Sequence, residues 1–148
     1  MKTSQELANY APDKPISFSV TVPGTPANPK PRTYQCLAHV PPQYDHYRDY
    51  PLILTLPGGR QTLQQHLNMW CGSYNSRLKI RNGHAMRHGY IVVAVDWRDP
   101  GQSRWGYTRR EHAIVIKALR ESFRKFSINS DRVFLSGCLL YTSDAADE

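Results

Sequence analysis

Two glycine-bearing segments stand just past apolar runs. Pro57-Gly58-Gly59-Arg60 follows Leu52–Leu56 (LILTL), and Ser136-Gly137 follows Arg132–Leu135 (RVFL). In an open parallel sheet, ligands bind beyond the carboxyl ends of the strands. Glycine lets a backbone turn sharply and approach a ligand, so that N–H groups can point at a developing negative charge. A plain tight turn is the commoner reason for a lone Gly-Gly. Asp96 ends a third apolar run, Tyr90–Val95 (YIVVAV), at the same edge, and there it either contacts substrate or caps the following turn. Arg98 and Arg104 suit a substrate carboxylate or phosphate, or simply a solvated loop. His84 and His88, four residues apart, could share a helix face as metal ligands. No carboxylate or third ligand accompanies them, so neither a metal nor any other cofactor is expected. Cys36, Cys71 and Cys138 lack Cys-x-x-Cys spacing and offer neither a disulfide framework nor a zinc site.

The elements that would position these groups follow from periodicity. Ile16–Val22 alternates strictly between apolar and polar residues, the mark of a half-buried strand. A loop with four prolines follows, then a second half-buried strand over Thr33–Val40, able to pair antiparallel with the first. The runs at 52–56, 90–95 and 132–135 are near-continuously apolar, as in parallel strands covered on both faces. The connections between them are long enough for helical crossovers. Thr62–Trp70 places Leu63, Leu67 and Trp70 on one helical face, with His66 alongside. A second helix starts at Thr108, where Thr108 and Glu111 have capping-box spacing. Its expected core stripe is Ala113, Ile116, Leu119 and Phe123, widened by Val115. Asn82-Gly83 and Asp99-Pro100-Gly101 read as turns. The fold class is therefore α/β, with two antiparallel strands followed by parallel strands and crossover helices.

Taken in order, these segments resemble the α/β-hydrolase superfamily of serine hydrolases, in particular esterase- and prolyl-oligopeptidase-like proteins of bacterial genomes. The resemblance rests on Val40-Pro-Pro-Gln-Tyr-Asp45, Tyr50–Gly59 (YPLILTLPGG), His88–Val95 (HGYIVVAV) and Ser130–Gly137 (SDRVFLSG), and covers roughly residues 16–137. It implies the first five strands of a hydrolase sheet. It also implies a serine on the turn after the fifth strand, a histidine base, and an acid that orients the histidine. The oxyanion would be held by the N–H after the nucleophile and by the loop after the third strand, which matches Gly58 and Gly59. The family usually has His where this chain has Pro57. No catalytic residue is present: G-x-S-x-G counted from Gly137 needs serine at 139 and glycine at 141, and the chain has Leu139 and Tyr141. The expected substrate of a complete enzyme is a small ester or a peptide.

Residues 138–148 resemble the translation of a sequencing-library adapter, so the organisation reads as a polar lead (1–15), part of a hydrolase domain (16–137) and an artefactual tail (138–148). The tail carries three of the twelve carboxylates and none of the 19 cations, so the net charge of +7 understates how basic the remainder is. Thirteen of those cations are Arg, scattered without a run, which favours a solvated basic surface over a nucleic-acid face. The rival readings are a hydrolase-fold binding module without catalysis and a basic nucleic-acid binder. No apolar stretch reaches membrane-spanning length, so no membrane partner is expected. Met1–Tyr10 does not read as a secretory signal, and the cytoplasm is the default location.

Overall fold

A computed structural model describes residues 12–24, 26–27, 29–58, 61–102 and 104–137. Gly59, most of the polar lead and the whole 138–148 tail lie outside the described residues. The elements in chain order are β1 (Ile16–Val22), β2 (Arg32–His39), β3 (Tyr50–Leu56), α1 (Leu63–Cys71), β4 (Tyr74–Asn75), β5 (Ile80–Arg81), α2 (His84–Arg87), β6 (Ile91–Val95), α3 (Arg109–Lys125) and β7 (Ile128–Gly137).

β1 and β2 pair antiparallel from Ile16↔Ala38 to Val22↔Arg32. Phe18, Val20 and Val22 are buried while Ser17, Ser19 and Thr21 are exposed, as the alternation requires. β3 and β6 are buried along their whole length and pair in parallel, and β7 joins β3 in parallel on its other side. The main sheet has the order β1-β2-β6-β3-β7, and β4 and β5 form a separate small hairpin.

The two crossovers cover opposite faces. Leu67 and Cys71 of α1, with Ala85 and Met86 of α2, pack on Ile53, Val92 and Ala94. Ile114 and Ala118 of α3 pack on the other face, which includes Leu52, Leu54, Val93, Val95 and the inner side of β1–β2. Alternate residues of β3 and β6 thus go to different layers, which is why both strands read as unbroken apolar runs. The chain leaves β3 toward one face and β6 toward the other, so a crevice opens between the loops that follow them.

Both long helices begin with a capping box. Thr108 and Glu111 form the one expected, and Thr62 and Gln65 form a second. Asp99–Gln102 is a turn closed by Gln102 N–H to Asp99 C=O at 2.9 Å, with Gly101 at φ 81°. Proline and then left-handed glycine at its centre give a type II turn.

Two expectations need correction. The core face of α3 is Glu111, Ile114, Ala118 and Ser122, whereas Ile116 and Phe123 are 47% and 39% exposed. The apolar arc of α3 is wider than the described sheet covers, so one of its edges overhangs. β7 is not covered on both faces among the described residues: it is a sheet edge, with Phe134 48% and Leu135 64% exposed. Ile116 and Leu135 border one apolar recess of about 370 Å³, together with Leu56 and Gly137.

Candidate functional site

The loops at the crevice are tied together by donors from the loop after β6. Trp97, fully buried, donates its indole N–H to the Pro57 carbonyl at 2.9 Å. Arg98 Nη1 donates to the carbonyls of Gly58 (3.1 Å) and Gln61 (2.6 Å), while its Nε pairs with Asp96 Oδ1 at 3.0 Å. Gln61 N–H returns to the Gly58 carbonyl at 3.1 Å. Three carbonyls of the glycine loop are therefore held by two side chains.

A buried polar chain lies beneath. Trp70 Nε1–H donates to Thr55 Oγ1 (3.2 Å), and Thr55 Oγ1 lies 2.5 Å from His66 Nε2. His66 Nδ1 is 3.0 Å from Gln61 Oε1, which also accepts the Gly58 N–H at 2.9 Å. An amide oxygen can only accept, so His66 Nδ1 carries the proton, Nε2 accepts from the Thr55 hydroxyl, and that hydroxyl accepts from Trp70. The histidine must be neutral for this arrangement. Burial, reinforced by the positive charge of Arg98, holds its pKa down at about 4.

The structure distributes the expected site residues as follows. Gly58 follows the carboxyl end of β3, but its N–H is committed to the Gln61 side chain at 2.9 Å. Gly59 lies outside the described residues. Gly137 ends β7 directly opposite Leu56, so the two glycine-bearing strand ends are neighbours. Asp96 turns its carboxylate to Arg98 and also accepts from the Arg98 backbone N–H at 3.4 Å. Arg98 serves the loop rather than the solvent. The His84 and His88 rings meet at a tilt of 58° with centroids 4.6 Å apart, and among the described residues no group of three metal-binding side chains occurs. Burial pushes the thiols of Cys36 and Cys71 up to about 12, so they stay protonated and act as packing groups.

Gln61, Trp97 and the polar role of His66 were not legible as site features. His66 sat on an apolar helical face, and only the register between β3 and α1 places it under Thr55.

No protein-family model matches the chain, and no curated protein matches it in sequence. Solved structures match its fold. A thermostable esterase is 19% identical with a TM-score of 0.54, over 86% of this chain and 35% of its own. The hyperthermophilic esterase of the archaeon Pyrobaculum calidifontis is 18% identical with a TM-score of 0.51, over 92% of this chain and 39% of its own. Dipeptidyl peptidase 4 of Porphyromonas gingivalis is 16% identical with a TM-score of 0.50, over 90% of this chain and 18% of its own. The chain thus spans less than two fifths of each of these structures. Together with the mixed five-stranded sheet and its opposed crossovers, these likenesses show that the chain has a partial α/β-hydrolase fold.

Proposed function

We propose that this chain is the N-terminal part of the catalytic domain of a serine hydrolase that cleaves carboxylic esters or peptide-like amides through an acyl-enzyme. One observation carries the reading: the register that sets Gly137 opposite Leu56. A nucleophile on the turn after β7 would emerge beside the loop after β3. Backbone donors from both turns could then meet the same carbonyl oxygen, and one such donor is worth about 10²–10³ in rate. In this reading Gly58 or Gly59 supplies the β3-loop donor, and Gly58 does so when the Gln61 amide turns aside. In this reading Leu139 stands at the serine position, so the reacting serine lies outside residues 1–148, and the family order places its base and acid after it.

The test begins at the gene. The coding sequence past codon 137 is recovered from a library built without the suspected adapter, and the longer protein is treated with a fluorophosphonate probe and an activated ester. Labelling of a serine two residues after Gly137, with ester turnover, is expected; the 148-residue chain should do neither. If Cys138–Glu148 recurs before a stop codon, the enzyme reading fails. Leu139 then favours a hydrolase-fold protein that binds without catalysis.

A further inference from the structure

A second feature lies at the carboxyl end of the sheet, on the far side of β6. Lys30, Arg32, Arg109 and Arg110 surround a cleft of about 440 Å³, with Val22 and Ala113 among its apolar lining. Asp99 is the one carboxylate that lines it. Asp99 is already engaged: Arg32 Nη1 lies 2.5 Å from Oδ2, Arg110 Nε lies 3.4 Å from the same oxygen, and Tyr34 O–H donates to Oδ1 at 2.8 Å. Burial works against its ionisation, but the bonds from Tyr34 and Arg32 and the charge of Arg110 hold its pKa below the usual range. Arg110 is further fixed by Tyr34, the Trp97 carbonyl and Gln102.

That leaves an excess of three positive charges in one concavity. Lys30 and Arg109 are exposed and have no carboxylate partner among the described residues. Arg109 and Arg110 also open α3, at the end of a helix where its dipole disfavours cations. Like charges gathered against that penalty form a surface short of an anion. We propose that this cleft binds the dianionic phosphate group of a small molecule, with Lys30, Arg32 and Arg109 as its contacts and Arg110 as the fixed floor. Arginine forks suit phosphate oxygens, a dianion answers an excess of three better than a carboxylate does, and the volume is that of a small-molecule site. The cations ring one concavity rather than forming a stripe, which separates this site from a nucleic-acid track. The assignment does not depend on the hydrolase reading.

The experiment is a titration of the full chain with inorganic phosphate, and with acetate at matched ionic strength, followed by calorimetry and by the arginine side-chain resonances. Saturable phosphate binding that shifts Arg32 and Arg109, with acetate weaker, is expected. The K30Q/R109Q variant should bind phosphate weaker by about tenfold for each cation removed. If the double variant loses the native Trp97 fluorescence, K30Q alone serves and should show about a tenfold loss. Equal affinity in variant and parent, or acetate binding as well as phosphate, would overturn the proposal. So would single-stranded DNA binding that the same variant abolishes and that falls steeply with salt, because it would reassign the cleft to a polyanion.

Discussion

Glu111 gives the sharpest test of how the segment between β6 and α3 is built. Its carboxylate is fully buried and accepts four hydrogen bonds. Thr108 N–H (2.9 Å) and O–H (2.8 Å) reach Oε1, and Gly106 N–H (2.7 Å) and Gln102 Nε2–H (2.9 Å) reach Oε2. Burial alone would raise its pKa, but these four donors win and hold it below the ordinary glutamate value. In Glu111→Gln one oxygen becomes an NH₂ that faces two donors. Two charge-assisted bonds are lost, at about 1.5–3 kcal/mol each, so about 3 kcal/mol or somewhat more should disappear. Urea unfolding followed by Trp97 and Trp105 fluorescence, at low protein concentration, measures the difference. A group with a depressed folded pKa contributes its stability above the unfolded value, near 4.5, and loses it as pH falls through the folded value. The gap between parent and variant should therefore be full at neutral pH and close in acid below the glutamate range. A gap under about 0.5 kcal/mol at neutral pH, the size of an ordinary surface substitution, would refute the reasoning. So would a gap that persists unchanged into acid.

His66 shifts in the same sense, from an unfolded value of 6.5 to about 4. Its contribution should be intact above pH 6.5 and lost as pH falls toward 4, amounting to about 3 kcal/mol, and melts of parent and His66→Gln across that window check it. Arg98→Met removes the charge that helps to lower His66, so the His66 titration followed by NMR should move upward toward 6.5; no movement would mean that burial alone sets it. The same variant frees the Gly58 and Gln61 carbonyls and should speed exchange of the Gly58 and Gln61 amides by roughly tenfold or more. Among the described residues β7 offers an unpaired strand edge with Phe134 and Leu135 exposed, so the 148-residue chain should self-associate. Light scattering should show less association for F134K/L135K, and a parent that stays monomeric would count against the edge argument.

The sheet was largely legible because its signals are local. Ser17, Ser19 and Thr21 alternate with Phe18, Val20 and Val22 on the strand itself, and Thr108 sits three residues from Glu111 on the same turn. The α3 face was not, because which part of a wide apolar arc is buried depends on what lies opposite. Ala118 meets the sheet and Ile116 does not, although both suit a core. The hairpin of β4 and β5 is only two residues per strand, too short for a period to register. The polar chain through Thr55, His66 and Gln61 escaped for the same reason as the α3 face. Its members are ordinary residues whose roles arise only when β3 and α1 are packed together.

The glycine loop is held from two sides by separable means. Its carbonyls are gripped by Trp97 and Arg98, both from the loop after β6, whereas the Gly58 N–H goes to the Gln61 side chain. The grip of Trp97 on the Pro57 carbonyl fixes the plane of the Pro57–Gly58 peptide, and with it the direction of the Gly58 N–H. The Gln61 side chain could therefore leave the Gly58 N–H with the Pro57 carbonyl still held, while loss of Arg98 would free the Gly58 and Gln61 carbonyls. Gln61 Oε1 accepts two donors, from Gly58 and His66, at 2.9 and 3.0 Å, the distances at which an oxyanion would be held. In the role proposed for Gly58, a ligand oxygen would replace the Gln61 amide oxygen as the acceptor of its N–H. Asp96 supports that grip through its bond to Arg98 Nε at 3.0 Å.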